Sequence, residues 1–410
     1  MRLYLFDEAA TDSWHPFSLT RPACELLFGT VLLRERLERF AGRPASAILT
    51  RPWLASFQEE GAPPARHRSA PRADEERLFL SSTFVPSVEA RFEGRGDTPL
   101  LLMLDELVVG CYLPAGSPGP NQQWLEAPAG NPADVTCERR PVDGGLVDAA
   151  WRLISENPGR LAADLARDAA SRGGVARLPE GTWKLGSEPL MLGAETRVEP
   201  GVVFDTRHGP IRLDDAVEVR AGCRLEGPLF VGRSTILLGG AIGTSSIGPV
   251  CRIRGEVEES VVLGYTNKAH DGFLGHAYLG RWVNLGAMTT NSDLKNNYGP
   301  VRLGSPQGPI ETGLTKLGCL LGDHVKTAIG TRINTGTVVG AGANLFGDSV
   351  PPTWVRPFSW GHAADPPTFE RDRFLQLAER VLERRQVEWS EETEAWLEAC
   401  WSAANPAVSD

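Results

Sequence analysis

Long apolar runs are missing from this sequence. None approaches the ~20 residues that a helix needs to cross a bilayer. The N-terminal run meets an acid at Asp7 before a signal-peptide core could form, so Leu3–Phe6 is expected to be a first buried strand. Paired cysteines are missing too. The seven cysteines (24, 111, 137, 223, 251, 319 and 400) lie far apart, none has CxxC spacing, and their number is odd. That argues against a disulfide framework and a structural zinc site, and for buried free thiols in a reducing cytoplasm. A basic surplus is also absent, because 42 Lys and Arg against 52 Asp and Glu leave a net charge of −10. General nucleic-acid binding is disfavoured, although a local basic pocket for one small phosphorylated ligand is not.

What remains is a soluble, globular composition, 41% apolar and 23% charged over 410 residues, which is long enough for two or three domains. Glycine is abundant, at 44 residues in the chain, and it crowds between about 173 and 347. There it alternates with Val, Ile and Leu rather than Ser or Gln, so the region is not a flexible linker.

Residues 1–145 are expected to form an α/β domain. Strands are predicted at Leu3–Phe6, Ala47–Thr50, Leu78–Ser81 and Leu100–Leu104, the last turning at Asp105-Glu106 into a hairpin with Leu107–Leu113. Helical spacing is seen over Arg21–Phe40, weakened by Gly29, and over Trp53–Glu60, ended by Gly61. Residues 114–145 look irregular. A helical linker is expected over 146–183, with an interruption at Asn157-Pro158-Gly159.

From about 184 the apolar period becomes six. Leu213, Val219, Leu225, Val231 and Leu237 form one run, Phe273, Leu279 and Leu285 a second, and Leu321, Thr327, Ile333, Val339 and Leu345 a third. Neither a helix nor a simple strand gives this period. It fits a solenoid in which each hexad makes one short side, its aliphatic residue points to the axis, and Gly, Asn or Asp takes the corner. An antiparallel barrel would instead show alternation and hairpin turns. The hexads break between Thr289 and Leu317, a polar stretch expected to protrude as a loop. Residues 351–410 are expected to end in two helices, Phe369–Gln386 and Ser390–Ala403, capping the solenoid or packing on its side.

The chemistry-bearing stretch is Gly264–His276. In it His270 stands beside Lys268, Asn267 and Tyr265 just before the repeat resumes. A histidine on a coil surface suits a general base, and Asn284 and the polar loop offer orienting groups. By residue type alone, an ordinary surface histidine or one satisfied by hydrogen bonds is the commoner reading.

The motifs are more specific. Ile-Gly-Pro (247–249), Arg-Gly-Glu (254–256), Tyr-Thr-Asn-Lys-Ala-His-Asp-Gly-Phe-Leu-Gly-His (265–276), Trp-Val-Asn-Leu-Gly-Ala (282–287) and Asn-Ser-Asp-Leu-Lys-Asn-Asn-Tyr-Gly (291–299) are long and not compositional. Together they resemble the acetyltransferase half of the bifunctional UDP-N-acetylglucosamine pyrophosphorylase/glucosamine-1-phosphate N-acetyltransferase family, in a divergent bacterial branch with a shortened N-terminal domain. The resemblance covers most of 190–347. It implies a shortened nucleotidyltransferase-like α/β domain, a left-handed parallel β-helix of hexapeptide repeats over 184–350, and short C-terminal helices.

By that resemblance His270, three residues before Phe273-Leu274-Gly275, takes the place of the catalytic histidine, with the family's acid at Glu256 and its asparagine at Asn284. Ala287 is implied to line the coenzyme site, and Asn297-Tyr298 to touch the sugar. Where the family has a Lys two residues beyond the acid, this chain has Glu258. Arg254, Lys268 and Lys295 are the local cations left to hold the acceptor's phosphate. The implied reaction is acetyl transfer from acetyl-CoA to an amino-sugar phosphate, glucosamine-1-phosphate first, in a cytoplasmic homotrimer with the site between subunits.

At the N-terminus, Pro16–Leu27 resembles the start of sugar-phosphate nucleotidyltransferases, with Thr-Arg-Pro (20–22) and the Glu35-Arg36 pair. Arg21 and Arg36 are the candidate nucleotide-phosphate binders, and UTP and Mg²⁺ are implied only where that domain is active. The usual Gly-rich loop is replaced by Asp7-Glu8-Ala9-Ala10, Ser81 or Ser82 stands for the usual strand-end Asn, and Asp105 is expected in a turn rather than on a metal. Two other readings are open. One is a scaffold that binds a sugar nucleotide without turnover. The other is a zinc hydratase using His270, His276 and His324, which the spacing disfavours because His270 and His276 fall on adjacent sides of a coil.

Overall fold

The computed structural model of the chain describes residues 1–69, 74–94, 96–132, 135–174, 178–362 and 366–406. It divides into two compact units. One comprises Met1–Leu26, Val31–Ala150 and Glu388–Asp410, and the other Leu27–Thr30 and Trp151–Val387.

The first unit is built on a seven-stranded mixed sheet. From edge to edge the strands are Glu138–Pro141, Leu100–Leu104, Leu107–Leu113, Arg77–Ser81, Arg2–Phe6, Ala45–Thr50 and Ala65–His67. The inner strand Arg2–Phe6 pairs in parallel on both sides. Its residues alternate between two cores. Leu3 and Leu5 pack with Leu37 and Phe40 of the helix Leu33–Ala41, while Tyr4 and Phe6 pack with Leu101, Trp124 and Leu125 on the opposite face. Burial on both faces explains why these strands read as continuous apolar runs.

Three local expectations give way here. The Arg21–Phe40 stretch is helical only over Leu33–Ala41. Before it come a 3₁₀ turn at Ala23–Glu25 and two-residue strands at Leu27–Phe28 and Val31–Leu32 around Gly29, whose φ of +71° ends any helix. The amides of Leu27, Gly29 and Thr30 instead meet Tyr278 Oη, Asn157 Oδ1 and Asp164 Oδ2 at 2.8, 2.8 and 3.0 Å. The Trp53–Glu60 pattern yields only a 3₁₀ turn over Pro52–Leu54, and Glu59 is drawn to the buried Arg21. The 114–145 stretch contains a short helix, Gln122–Glu126, capped by Asn121, and the polar edge strand Glu138–Pro141. The last helix, Glu391–Ala404, belongs to this unit. Trp396 Nε1 donates to the carbonyl of Thr20 at 2.9 Å, and its ring lies edge-on to Phe57 with centroids 5.0 Å apart.

In the second unit the helix Asn157–Arg172, opened by Pro158, precedes a three-faced parallel solenoid. The first face has six strands from Trp183–Leu185 to Phe273–Gly275, the second nine from Leu190–Leu192 to Trp354–Val355, and the third eight from Arg197–Val198 to Asn344–Leu345. The expected runs Leu213–Leu237 and Leu321–Leu345 supply buried axial residues. The middle run slips by one: Leu274, not Phe273, enters the column, because only five residues, not six, carry the chain from it to Leu279 across the corner at His276.

Not every corner uses a small residue. Tyr265, Trp282 and His324 sit at equivalent corners with φ of +53°, +63° and +61°. Their rings stack from coil to coil, with centroids 4.3 and 6.2 Å apart. Stacking offsets the ~1–2 kcal/mol that a left-handed conformation costs an L-residue. Phe374 of the helix Arg371–Glu383 closes this ladder against His324 and Phe358. Among the described residues no helix is long and apolar enough to cross a membrane.

Candidate functional site

The third and first faces of the solenoid meet at a corner formed by Arg254-Gly255 in one coil, Ala269–Gly272 in the next and Ala287-Met288 in the one after. His270 is exposed there. Its ring makes no hydrogen bond or ion pair among the described residues. Asp271 beside it accepts from Arg254 Nε at 3.0 Å, and Arg254 Nη1 reaches the carbonyl of Leu238 at 3.0 Å. Glu256 opens the next strand of the first face, exposed and in register with Phe273. The structure therefore brings His270, Asp271, Arg254 and Glu256 to one corner region with solvent access.

Asn284 lies on the third face, where its Oδ1 accepts from Asn267 Nδ2 at 2.9 Å. Ala287 is half-buried one coil beyond His270, and its carbonyl accepts from the amide of Gly330 at 2.7 Å. Met288, whose amide bonds the carbonyl of Asp271 at 3.0 Å, is 58% exposed.

Lys268 takes a different place from the one its charge suggested. It occupies an axial position opposite Ile253 and is buried. Its Nζ donates to the carbonyls of Arg254, Gly272 and His270 at 2.6, 2.7 and 3.3 Å. Burial lowers its pKa to about 8, against the attraction of Asp271 and Glu256. The ammonium is occupied by backbone and turned away from solvent.

Lys295, Asn297 and Tyr298 lie in the excursion 292–316, which contains a small hairpin pairing Arg302–Leu303 with Ile310–Glu311. Lys295 is bonded to the carbonyl of Pro300, Asn297 Oδ1 accepts from the amide of Gly299 at 3.1 Å, and Tyr298 is 73% exposed. The excursion leaves from the end of the first face opposite His270.

A cluster not anticipated from the sequence stands at that opposite end. His276 is buried, with Nδ1 2.8 Å from Asp293 Oδ2 and Nε2 3.2 Å from Glu259 Oε2. The three residues are each 17 apart, one coil in this part of the solenoid, and that spacing was the available signal. The histidines of the zinc reading have separate surroundings: His324 stacks on Trp282, and His276 is held by its two carboxylates.

In the first unit, Arg21 is buried and paired with both oxygens of Glu59 at 2.9 and 3.1 Å, and Arg36 is buried on the helix Leu33–Ala41. The groups gathered where the parallel strands end are others. Asp7 accepts from Arg51 Nη1 at 3.0 Å and Thr50 Oγ1 at 2.6 Å. Asp12 binds Arg51 Nε at 2.6 Å and Arg68 Nη2 at 2.8 Å. Glu8 is bonded to Ser81 and Thr83, and burial raises its pKa despite those bonds. Asp105 is exposed on the hairpin turn at φ +51°. With Asp7 and Asp12 both engaged by guanidinium groups, these carboxylates do not fit a Mg²⁺ site. Among the described residues no group of three His, Cys, Asp or Glu is arranged to hold a metal.

A family model described as sugar nucleotidyl transferase matches residues 3–172, and the chain continues into a parallel β-solenoid consistent with a hexapeptide-repeat domain. Three curated relatives named as bifunctional proteins are similar to parts of the chain. A bifunctional sugar-1-phosphate nucleotidylyltransferase/acetyltransferase of Sulfurisphaera tokodaii is 32% identical over 95 residues, 23% of this chain and 24% of that protein. The bifunctional protein GlmU of Methanocaldococcus jannaschii is 30% identical over 86 residues, 21% of each chain. That of Nitrosospira multiformis is 26% identical over 184 residues, 40% of this chain and 36% of its own length. The matches thus span about a fifth to a third of these relatives.

Proposed function

We propose that this protein serves sugar-nucleotide synthesis, and that its solenoid transfers an acetyl group from acetyl-CoA to the amine of an amino-sugar phosphate, glucosamine-1-phosphate first. The observation that carries this reading is the exposed, unpartnered His270 ring at a corner flanked by Arg254, Asp271 and Glu256. The imidazole takes a proton from the sugar amine as its nitrogen attacks the thioester carbonyl. The C–N bond forms, the C–S bond breaks, and the proton passes from the imidazolium to the departing thiolate. A backbone amide holds the oxyanion, Glu256 and Asn284 orient the reacting groups, and Ala287 lies against the coenzyme. Arg254 is the cation open to the acceptor's phosphate, and Asn297 and Tyr298 contact the sugar.

A homotrimer belongs to the same reading. Met288, Ile329, Phe346 and Trp360 are 58%, 80%, 42% and 43% exposed, an apolar series on the coils beyond His270 that suits a covered surface. For the first unit, uridylyl transfer to the acetylated product is the activity its family match suggests. The test is a coupled assay on the full chain. Acetyl-CoA is offered with several amino-sugar phosphates and thiol release followed, and then UTP and Mg²⁺ are added with the acetylated product. Thiol release dependent on one acceptor supports the proposal; binding of a sugar nucleotide with no thiol release from any acceptor supports a scaffold instead.

A further inference from the structure

Glu259, His276 and Asp293 meet at the corner between the first and second faces, at the root of the 292–316 excursion. His276 is 6% exposed, and each of its ring nitrogens faces a carboxylate oxygen, Asp293 at 2.8 Å and Glu259 at 3.2 Å. A carboxylate can only accept, so both nitrogens must donate, and the ring is an imidazolium. Burial opposes that charge. The hydrogen bond and charge of Glu259 and the charge of Asp293 outweigh it, with Lys316 acting in the opposite sense, and the pKa of His276 is raised. The bond to His276 correspondingly holds the Glu259 carboxyl below its usual value.

The same residues hold both legs of the excursion. Asp293 is its second residue, and the carbonyl of Asp293 accepts from the amide of Leu317 at 2.8 Å. The carbonyl of His276 accepts from the amide of Gly318, also at 2.8 Å. A Cβ at Gly318 would lie 2.1 Å from the carbonyl oxygen of Gly275, so the returning leg is pressed against the coil. Leu294 and Lys316 pair just outside.

We propose that His276 is a positioning residue: as an imidazolium between Glu259 and Asp293 it clamps the excursion to the solenoid and keeps Asn297 and Tyr298 in place for the sugar acceptor. The role toward the acceptor rests on the function proposed above; the clamp itself does not. Loss of the proton turns one ring nitrogen into an acceptor facing a carboxylate, which loosens the root. Because the folded pKa is raised, the clamp is fully present below the unfolded value near 6.5 and is lost as pH rises through the folded one.

The test compares full-length wild type with His276→Gln, which keeps a donor for one carboxylate but not the charge. Without substrate, amide exchange over 293–317 is expected to be faster in the variant, and wild type to converge on it as pH rises. Equal protection at low pH would overturn the clamp. Should the variant not fold, nitrogen-15 spectra of the wild-type ring decide. Two protonated nitrogens titrating above 6.5 are expected, and titration at or below 6.5 would overturn the proposal. With acetyl-CoA and acceptor, KM for the acceptor is expected to rise about tenfold with kcat little changed; a fall in kcat at constant KM would overturn the positioning role. Absence of turnover in wild type would count against the proposed function, while the exchange result would still judge the clamp.

Discussion

The ammonium of Lys268 donates to the carbonyl of His270 at 3.3 Å, from the buried side of the corner whose imidazole faces solvent. With its bonds to Arg254 and Gly272 it ties two coils together at the candidate site. Lys268→Met is therefore expected to lower stability by about 2–3 kcal/mol, because it leaves buried carbonyls without donors. Thermal and urea unfolding check this. An unchanged melting temperature with a raised KM for the phosphorylated acceptor would return Lys268 to substrate binding.

Lys326 is a second backbone-held ammonium, half-buried, bonded to the carbonyls of Trp282 and His324 at 2.8 and 3.1 Å, and desolvation lowers its pKa from 10.5 to about 7. Between those values the unfolded chain holds a proton that the folded chain has lost, so this group makes stability rise with pH from about 7 toward 10. Denaturant unfolding across that range should show the rise in wild type and a flatter profile in Lys326→Met. Equal slopes would contradict it.

In the first unit, Asp7 and Arg51 form a buried pair whose side chains are 0% and 1% exposed. Asp7→Ala strands the guanidinium among Asp12 and Thr11 only, and a loss of about 3 kcal/mol is expected in urea unfolding. A loss below ~1 kcal/mol would show that Asp12 alone satisfies Arg51.

The corner at Trp282 inverts a common order. Removing the ring costs the stack with Tyr265 and His324 in either variant, but Trp282→Ala also keeps a Cβ at φ +63°. Trp282→Gly is expected to be the more stable of the two by about 1 kcal/mol. The reverse order would mean that the corner relaxes out of the left-handed region.

How much of this was legible follows from where each signal lives. The hexads announced the solenoid because every axial residue from Leu213 to Leu237 repeats at one spacing. The slip at Phe273 was hidden, since a corner at His276 one residue shorter than the hexad changes register without changing composition. The stretch Arg21–Phe40 has a helical apolar pattern, but the amides of Leu27, Gly29 and Thr30 find side-chain partners more than a hundred residues away, which no local pattern reports. The helix Glu391–Ala404 was foreseen, yet its amphipathic face does not say that Trp396 packs on Phe57. At the site, His270 was marked by its motif, whereas Lys268 looked like a surface cation because its axial place shows only once Ile253 is seen opposite it. The clamp at His276 required knowing that 17 residues make one coil there.

The central claim concerns one imidazole, and the most direct measurement follows thiol release from acetyl-CoA by His270→Ala in the presence of the amino-sugar acceptor. The ring is exposed and makes no hydrogen bond or ion pair among the described residues, so the variant should melt as wild type does while kcat falls by about 10²–10⁴-fold, the usual worth of a general base. A variant that keeps wild-type turnover would contradict the account.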